Sequence, residues 1–127
     1  LIGDGEIQEG QIWEAAMYAG AHEINNLCVI LDNNKMQNET YTKSTLDVMP
    51  LKKKWEAFNW KVLEIDGHSF HEIHSAFKKF YKEKKKPTII IANTIKGKGI
   101  SFMENSAAWH SKVLSKNDYL KARKELI

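Results

Sequence analysis

Between Glu9 and about Glu23, apolar residues recur at Ile12, Ala15, Ala16, Ala19 and Ile24. That three-to-four-residue spacing predicts an amphipathic helix. Leu27 to Leu31 is a continuous apolar run of strand length, as expected of a parallel strand buried on both faces. Residues 33–48 have no clean period and many polar side chains, which predicts a loop. Pro50 suits the first turn of a short helix through Phe58. Trp60 to Ile65 reads as a strand entering the turn Asp66-Gly67-His68. Ser69 is a capping residue for a following helix whose apolar stripe is Phe70, Ile73, Phe77, Phe80 and Tyr81. Pro87 closes that helix, and the β-branched run Thr88 to Ile95 predicts another strand. A Gly/Lys loop follows from Lys96 to Gly99, then an irregular stretch through Ser115 and a charged helix capped by Asn117 and ending at Ile127. Leu1-Ile2 read as the end of a strand that starts upstream, so the chain is expected to be truncated at its N-terminus.

Strands alternating with helices predict an α/β fold, with a parallel sheet flanked by helices and right-handed crossovers. Ligands of such sheets bind outside the carboxyl ends of the strands. Gly3-Asp4-Gly5, Asp32-Asn33-Asn34 and Lys96-Gly97-Lys98-Gly99 all follow strands, so they are expected to converge on one edge.

Composition narrows the classes. At 43% apolar and 28% charged residues, the 127-residue chain is that of one ordinary globular domain. The net charge of +3 is concentrated in Lys52, Lys53, Lys54 and in the run from Lys78 to Lys86. No aromatics are arranged there for base stacking, so the lysines read as solvated helix faces and not as a nucleic-acid surface. The single Cys28, inside an apolar run, reads as a packed thiol and fits a reducing, cytoplasmic compartment. No apolar run reaches the roughly 18–20 residues of a membrane helix.

The convergent edge suits a hard cation carrying a phosphate. Mg²⁺ or Ca²⁺ takes about six oxygens, usually shared between a few protein groups and a phosphate ligand. Asp4 offers a carboxylate, Asn34 an amide carbonyl, and the loop after it a main-chain carbonyl. Gly5 allows an N–H to approach a phosphate oxygen, and Lys96 can neutralise further charge. Each segment alone is ordinary turn chemistry. The pairing of G-D-G with N-N, 27 residues apart across one helix and one strand, is more specific.

That pairing resembles the motif of thiamine-diphosphate enzymes. G-D-G-E-I-Q-E-G-Q-I-W-E-A-A, D-G-H-S at 66–69, T-I-K-G-K-G-I-S-F at 94–102 and the W-H pair at 109–110 are similar to segments of transketolase. The closest form of the resemblance is the N-terminal subunit of split transketolases, and it runs the whole chain. Residues 1–127 would then be the C-terminal part of the diphosphate-binding domain.

The resemblance implies thiamine diphosphate and Mg²⁺ (or Ca²⁺) as cofactors. Asp4 and Asn34 would bind the metal by side chain and Met36 by its main-chain oxygen. Gly3, Gly5 and Lys96 would contact the diphosphate. Glu9 matches an acid near the subunit interface that links two active sites, and His110 a histidine near the thiazolium and the sugar, both in catalytic roles. One departure is that Ser111-Lys112-Val113-Leu114 follow this histidine, where the family has Gly and then Pro.

The implied activity is transfer of a two-carbon ketol unit from a ketose phosphate to an aldose phosphate. It requires a C-terminal subunit or domain carrying the glutamate that activates the aminopyrimidine, in a homo- or hetero-oligomer. Deoxyxylulose-phosphate synthase and dehydrogenase E1 components share the paired motif, but W-E-A-A, K-G-K-G-I-S-F-M-E and W-H fit transketolase better. A non-catalytic subunit retaining the fold is the alternative of a different class. His22, His68, His71 and His74 read as turn or helix-surface residues, and Trp13, Trp55 and Trp60 as core or interface aromatics.

Overall fold

Apolar runs become strands at the centre of the molecule, and the periodic segments become helices around them. The computed structural model describes residues 1–38 and 40–127. In chain order they form β1 (Ile2–Gly3), a 3-10 turn (Glu6–Gln8), α1 (Gly10–Ala21) and β2 (Cys28–Asn33). Next come β3 (Met36–Gln37), β4 (Thr40–Tyr41), α2 (Thr42–Thr45), α3 (Leu51–Ala57) and β5 (Lys61–Asp66). The chain continues through α4 (Phe70–Lys82), β6 (Thr88–Asn93), a second 3-10 turn (Ala107–Trp109) and α5 (Lys116–Glu125). Strands β1, β2, β6 and β5 pair in that order, all parallel, giving the α/β sheet that the alternation predicts.

Register fixes the two faces. Val29, Ile89 and Val62 lie side by side across β2, β6 and β5, as do Ile30, Ile90 and Leu63 one residue on. Side chains alternate along a strand, so these rows point to opposite faces. Val29, Leu31, Ile89, Ile91 and Val62 pack with Ile7, with Ala16 and Ala19 of α1, with Leu51 and Trp55 of α3, and with Trp60. Trp55 and Trp60 meet edge to face at 4.8 Å, and the Trp60 indole N–H donates to the Ala16 carbonyl at 2.8 Å. Each large apolar side chain fully buried here contributes about 1.5–3 kcal/mol. On the opposite face Ile30, Ile65, Ile90 and Ala92 form the floor of a groove of about 700 Å³ beside Ile73 and Phe77.

Several local expectations are corrected. Residues 33–48 are not a plain loop: β2 runs on to Asn33, β3 and β4 pair antiparallel, and α2 adds one helical turn. Elements this short carry too few residues to display a period. Strand β6 stops at Asn93 and not Ile95, because the last paired residues on both flanks are Asn33 and Asp66. The stripe on α4 is only partly buried: Phe70 is 89% and Tyr81 69% exposed, and Ala76 is the helix's one buried residue. Phe70 opens the helix and Tyr81 lies near its end, so both overhang the strand that the middle of α4 covers. On α1, Ala16 and Ala19 are buried while Ala15 is exposed.

Ser69 caps α4 as expected, accepting from the Glu72 N–H at 3.3 Å. The cap of α5 is Ser115 and not Asn117. Its hydroxyl accepts from the Asp118 N–H, and the Asp118 carboxylate accepts back from the Ser115 N–H. This reciprocal box satisfies two amide donors that the helix cannot use. Ser115→Ala is therefore expected to lower stability by about 1 kcal/mol. Hydrogen exchange along α5 should accelerate; unchanged protection there would refute the cap.

Cys28 is half-buried, and its burial pushes the thiol pKa up, which suits an inert packed residue better than a nucleophile. Of the lysine-rich segment before β5, Lys54 donates to the Val48 carbonyl and stands 5.8 Å over the Trp13 ring. Among the described residues no helix is long and apolar enough to cross a membrane.

Candidate cofactor site

The parallel sheet brings distant segments together by register alone. Gly3 pairs with Asp32, and Asp32 with Ala92, so the residues that follow β1, β2 and β6 leave the same edge. There they line an open cleft of about 550 Å³ that includes Gly3, Asp4, Gly5, Glu9, Asn34, Met36, Lys96 and His110. Every site residue singled out in the sequence lies on this cleft.

Asp4 leaves β1 directly into the interior and is 3% exposed. One carboxylate oxygen accepts the Lys35 N–H from the loop after β2. Burial raises its pKa above the ordinary aspartate range, opposed by that backbone hydrogen bond and reinforced by the nearby Asp32 charge. Lys35 has φ 67°, and this left-handed turn points its N–H back at Asp4. The Asn34 carbonyl oxygen accepts from the Met36 N–H at 2.9 Å, which fixes the orientation of the amide. Met36 is buried.

Lys96 reaches the cleft from the far side, its Nζ 3.5 Å from His110 Nδ1. His110 follows the second 3-10 turn, where the Trp109 indole donates to the Phe102 carbonyl at 3.1 Å and the Lys112 ammonium stands 4.2 Å from the Trp109 ring centre. Ser111 and Lys112 thus sit in a loop anchored through Trp109. Glu9 is exposed at the N-terminus of α1, on the rim.

Three features carry no signal in the sequence. The Asp32 carboxylate accepts from the Thr94 hydroxyl, tying the end of β2 to the residue after β6. Gln37 covers Gly5 so closely that a Cβ added there would lie 2.6 Å from Gln37 Cβ. The Gln37 side-chain oxygen is buried with no hydrogen-bond partner among the described residues. Each depends on the meeting of separate segments, which no local pattern announces.

These observations suit a divalent cation shared with a phosphate. A buried carboxylate held above its ordinary pKa lacks a compensating positive charge, and Gln37 presents an oxygen without a donor. No cluster of three His, Cys, Asp or Glu occurs among the described residues. The donors facing the cleft are hard oxygens, the Asp4 carboxylate and the Asn34 amide with the Asp32 carboxylate beside them. Among the described residues no His or Cys joins them in a cluster, unlike a zinc centre and like a Mg²⁺ site completed by phosphate and water. At Gly5 the absence of a Cβ permits the close approach of the β3 segment.

The chain matches the family model "Transketolase, thiamine diphosphate binding domain" over residues 1–126. It is 47% identical over 126 residues to the 6-deoxy-6-sulfo-D-fructose transketolase subunit of Clostridium sp. (strain MSTE9), covering 99% of this chain and 46% of that protein. Identity to an apulose-4-phosphate transketolase subunit of Phocaeicola vulgatus is 38%, across 99% of this chain and 45% of that one. The chain thus spans less than half the length of these curated relatives. The crystal structure of transketolase from Campylobacter jejuni superposes with a TM-score of 0.90 at 33% identity, over 98% of this chain and 20% of that one. By fold, motif and whole-length match, this chain belongs to the transketolase thiamine-diphosphate-binding domain family.

Proposed function

We propose that residues 1–127 are the C-terminal part of a diphosphate-binding domain and serve a thiamine-diphosphate- and Mg²⁺-dependent transketolase assembly. The observation that carries this reading is the buried Asp4 carboxylate on one cleft with Asn34 and Lys96. Asp4 and Asn34 hold the metal by side chain, and Met36 by its main-chain oxygen. The Gly3-Asp4-Gly5 turn brings backbone N–H groups to the diphosphate, and Lys96 adds a positive charge. When bound, thiamine diphosphate supplies the nucleophilic carbon and the electron sink for breaking a ketose carbon–carbon bond.

His110 lies beside Lys96, where its imidazole can hold a sugar hydroxyl or move a proton. Glu9, exposed on the rim, suits contact with a neighbouring subunit. The glutamate that activates the aminopyrimidine comes from a C-terminal subunit or domain, so turnover belongs to the assembly. Its substrates are a ketose phosphate and an aldose phosphate. Assaying the complete assembly with a ketose phosphate donor and, separately, with pyruvate tests the reaction: ketol transfer from the sugar is expected, and turnover of pyruvate alone would overturn it.

Lys96→Ala is expected to weaken cofactor affinity more than it lowers turnover at saturating cofactor. A charge on the diphosphate binds ground and transition states alike, so it contributes uniform binding. Normal affinity with sharply lower saturated turnover would place Lys96 at the chemistry instead.

A further inference from the structure

The turn Asp66-Gly67-His68 has no part in the cofactor cleft, yet it touches the segment that delivers Lys96. The His68 N–H donates to its neighbour Asp66 at 2.9 Å, which closes the turn. The Gly67 N–H donates to the Asn93 carbonyl at 2.8 Å. A Cβ at Gly67 would lie 2.4 Å from Thr94 Cγ2, so the turn sits directly on the end of β6. The imidazole then reaches one step further: His68 Nε2 accepts the backbone N–H of Ile95 at 2.8 Å. An acceptor Nε2 requires the ring proton on Nδ1.

Ile95 lies where the chain has left the sheet, two residues beyond the last paired residue of β6. From there to Asn105 the loop closes on itself. The Asn105 N–H donates to the Lys96 carbonyl at 3.0 Å, and the Lys98 N–H to the Ile95 carbonyl at 3.2 Å. Gly97, at φ 74°, is pressed against the Met103 carbonyl, where a Cβ would lie 2.5 Å away. The loop so closed is fastened at two places. One is α5, where the Ser101 N–H and hydroxyl donate to the Glu125 carboxylate at 2.6 and 2.9 Å. The other is the sheet, where the loop leaves β6 next to Lys96. Thr94 fastens it to Asp32 on the β2 side, and His68 fastens it on the β5 side.

We propose that His68 is a positioning residue: by holding the Ile95 N–H it sets the direction of the following residue, Lys96, toward the diphosphate cleft. The inference rests on the reading of that cleft as a cofactor site. His68 acts through Lys96 and touches neither cofactor nor substrate.

The test uses the complete assembly and titrates thiamine diphosphate with Mg²⁺ by calorimetry. His68→Phe keeps a ring without an acceptor, whereas His68→Gln retains an acceptor on a flexible side chain. His68→Phe should weaken cofactor binding by roughly three- to tenfold, the range of one lost hydrogen bond. His68→Gln should recover most of it. In a Lys96→Ala background His68→Phe should cost nothing more, because the two act through one contact. Hydrogen exchange of the Ile95 amide, read without cofactor, should be faster in His68→Phe than in the parent.

Unchanged affinity in His68→Phe, or the same loss with and without Lys96, would overturn the assignment. If the phenylalanine variant does not fold, His68→Ala carries the same comparison. Failure of the parent assembly to bind thiamine diphosphate sinks the cleft reading and this inference with it. A parent that binds normally, beside a histidine variant that binds equally well, sinks the inference alone.

Discussion

Asp4→Ala in the complete assembly is expected to abolish Mg²⁺-dependent binding of thiamine diphosphate. Among the described residues its carboxylate is the one acid buried in the cleft; Asp32, already engaged by Thr94, is only half-buried, and Glu6 and Glu9 are exposed on the rim. Mg²⁺ demands near-octahedral oxygen geometry and gives up water reluctantly, so a lost anionic ligand is poorly replaced. Loss of a residue that merely orients a ligand already costs about 10- to 100-fold in metal affinity, and loss of the ligand itself should exceed about 100-fold. Calorimetric affinity equal to that of the parent would sink the metal-site reading. Met36→Leu is the matched control, since its volume is nearly unchanged and only its main-chain oxygen is assigned to the metal.

The same carboxylate leads to a stability effect of opposite sign. Its pKa in the folded protein lies above the ordinary aspartate value, chiefly because of burial. Between the unfolded and folded values the native state therefore binds more protons than the unfolded state. Stability from this group falls as pH rises through that window, and the deficit is complete above the folded value. Asp4→Asn keeps the shape and can still accept the Lys35 N–H, but carries no charge. Without metal it should be more stable than the parent at neutral pH and lose that advantage in acid. Denaturant midpoints at the two pH values, with and without Mg²⁺, check the sign. A parent that is the more stable at neutral pH without metal would mean that Asp4 is compensated by something other than a cation.

Gly20→Ala should be the most damaging single methyl addition in the chain. A Cβ at Gly20 would stand 1.7 Å from the Phe58 carbonyl oxygen and 3.3 Å from Trp60 Cδ1. The first of these is backbone at the end of α3 and cannot rotate away. The Asn59 amide donates to the Gly20 carbonyl at 3.3 Å, and the Trp60 indole to Ala16, so two further bonds depend on the same approach. Helix α1 would have to withdraw from the Trp55–Trp60 core, at a cost of about 3 kcal/mol. That is a large share of the roughly 5–15 kcal/mol by which a domain is stable. Glu9 and the Gly3-Asp4-Gly5 turn lie at the other end of α1, so cofactor affinity should fall as well. Gly10→Ala is the internal contrast: nothing lies within 4 Å of its added Cβ, and stability should hold or rise by up to about 1 kcal/mol. Equal denaturation midpoints for the two variants would contradict this account of the α1 contact.

The sequence by itself determined the sheet and the edge at which the cleft forms. Leu27 to Leu31 and Ile89 to Ala92 are apolar on both faces, one packed against α1 and α3 and the other flooring the groove beside α4, and such runs are visible without neighbours. Once strands are parallel, residues after β1, β2 and β6 must share an edge, so Asp4, Asn34 and Lys96 could be brought together on paper. The cap of the last helix was expected at Asn117, a good capping type, but the structure puts it two residues earlier at Ser115, where the reciprocal bond with Asp118 decides it. The tertiary structure alone decided the rest. Which apolar residues of α4 are covered depends on how far β5 extends beneath them, and a helical period is blind to its partner's length. The Thr94 hydroxyl meets Asp32 across 62 residues, and the Ile95 amide meets His68 across 27. Pairings of that kind follow from strand order and register. Neither is written in a local pattern, because a hydrogen bond between segments is set by where two backbones pass and not by what either spells.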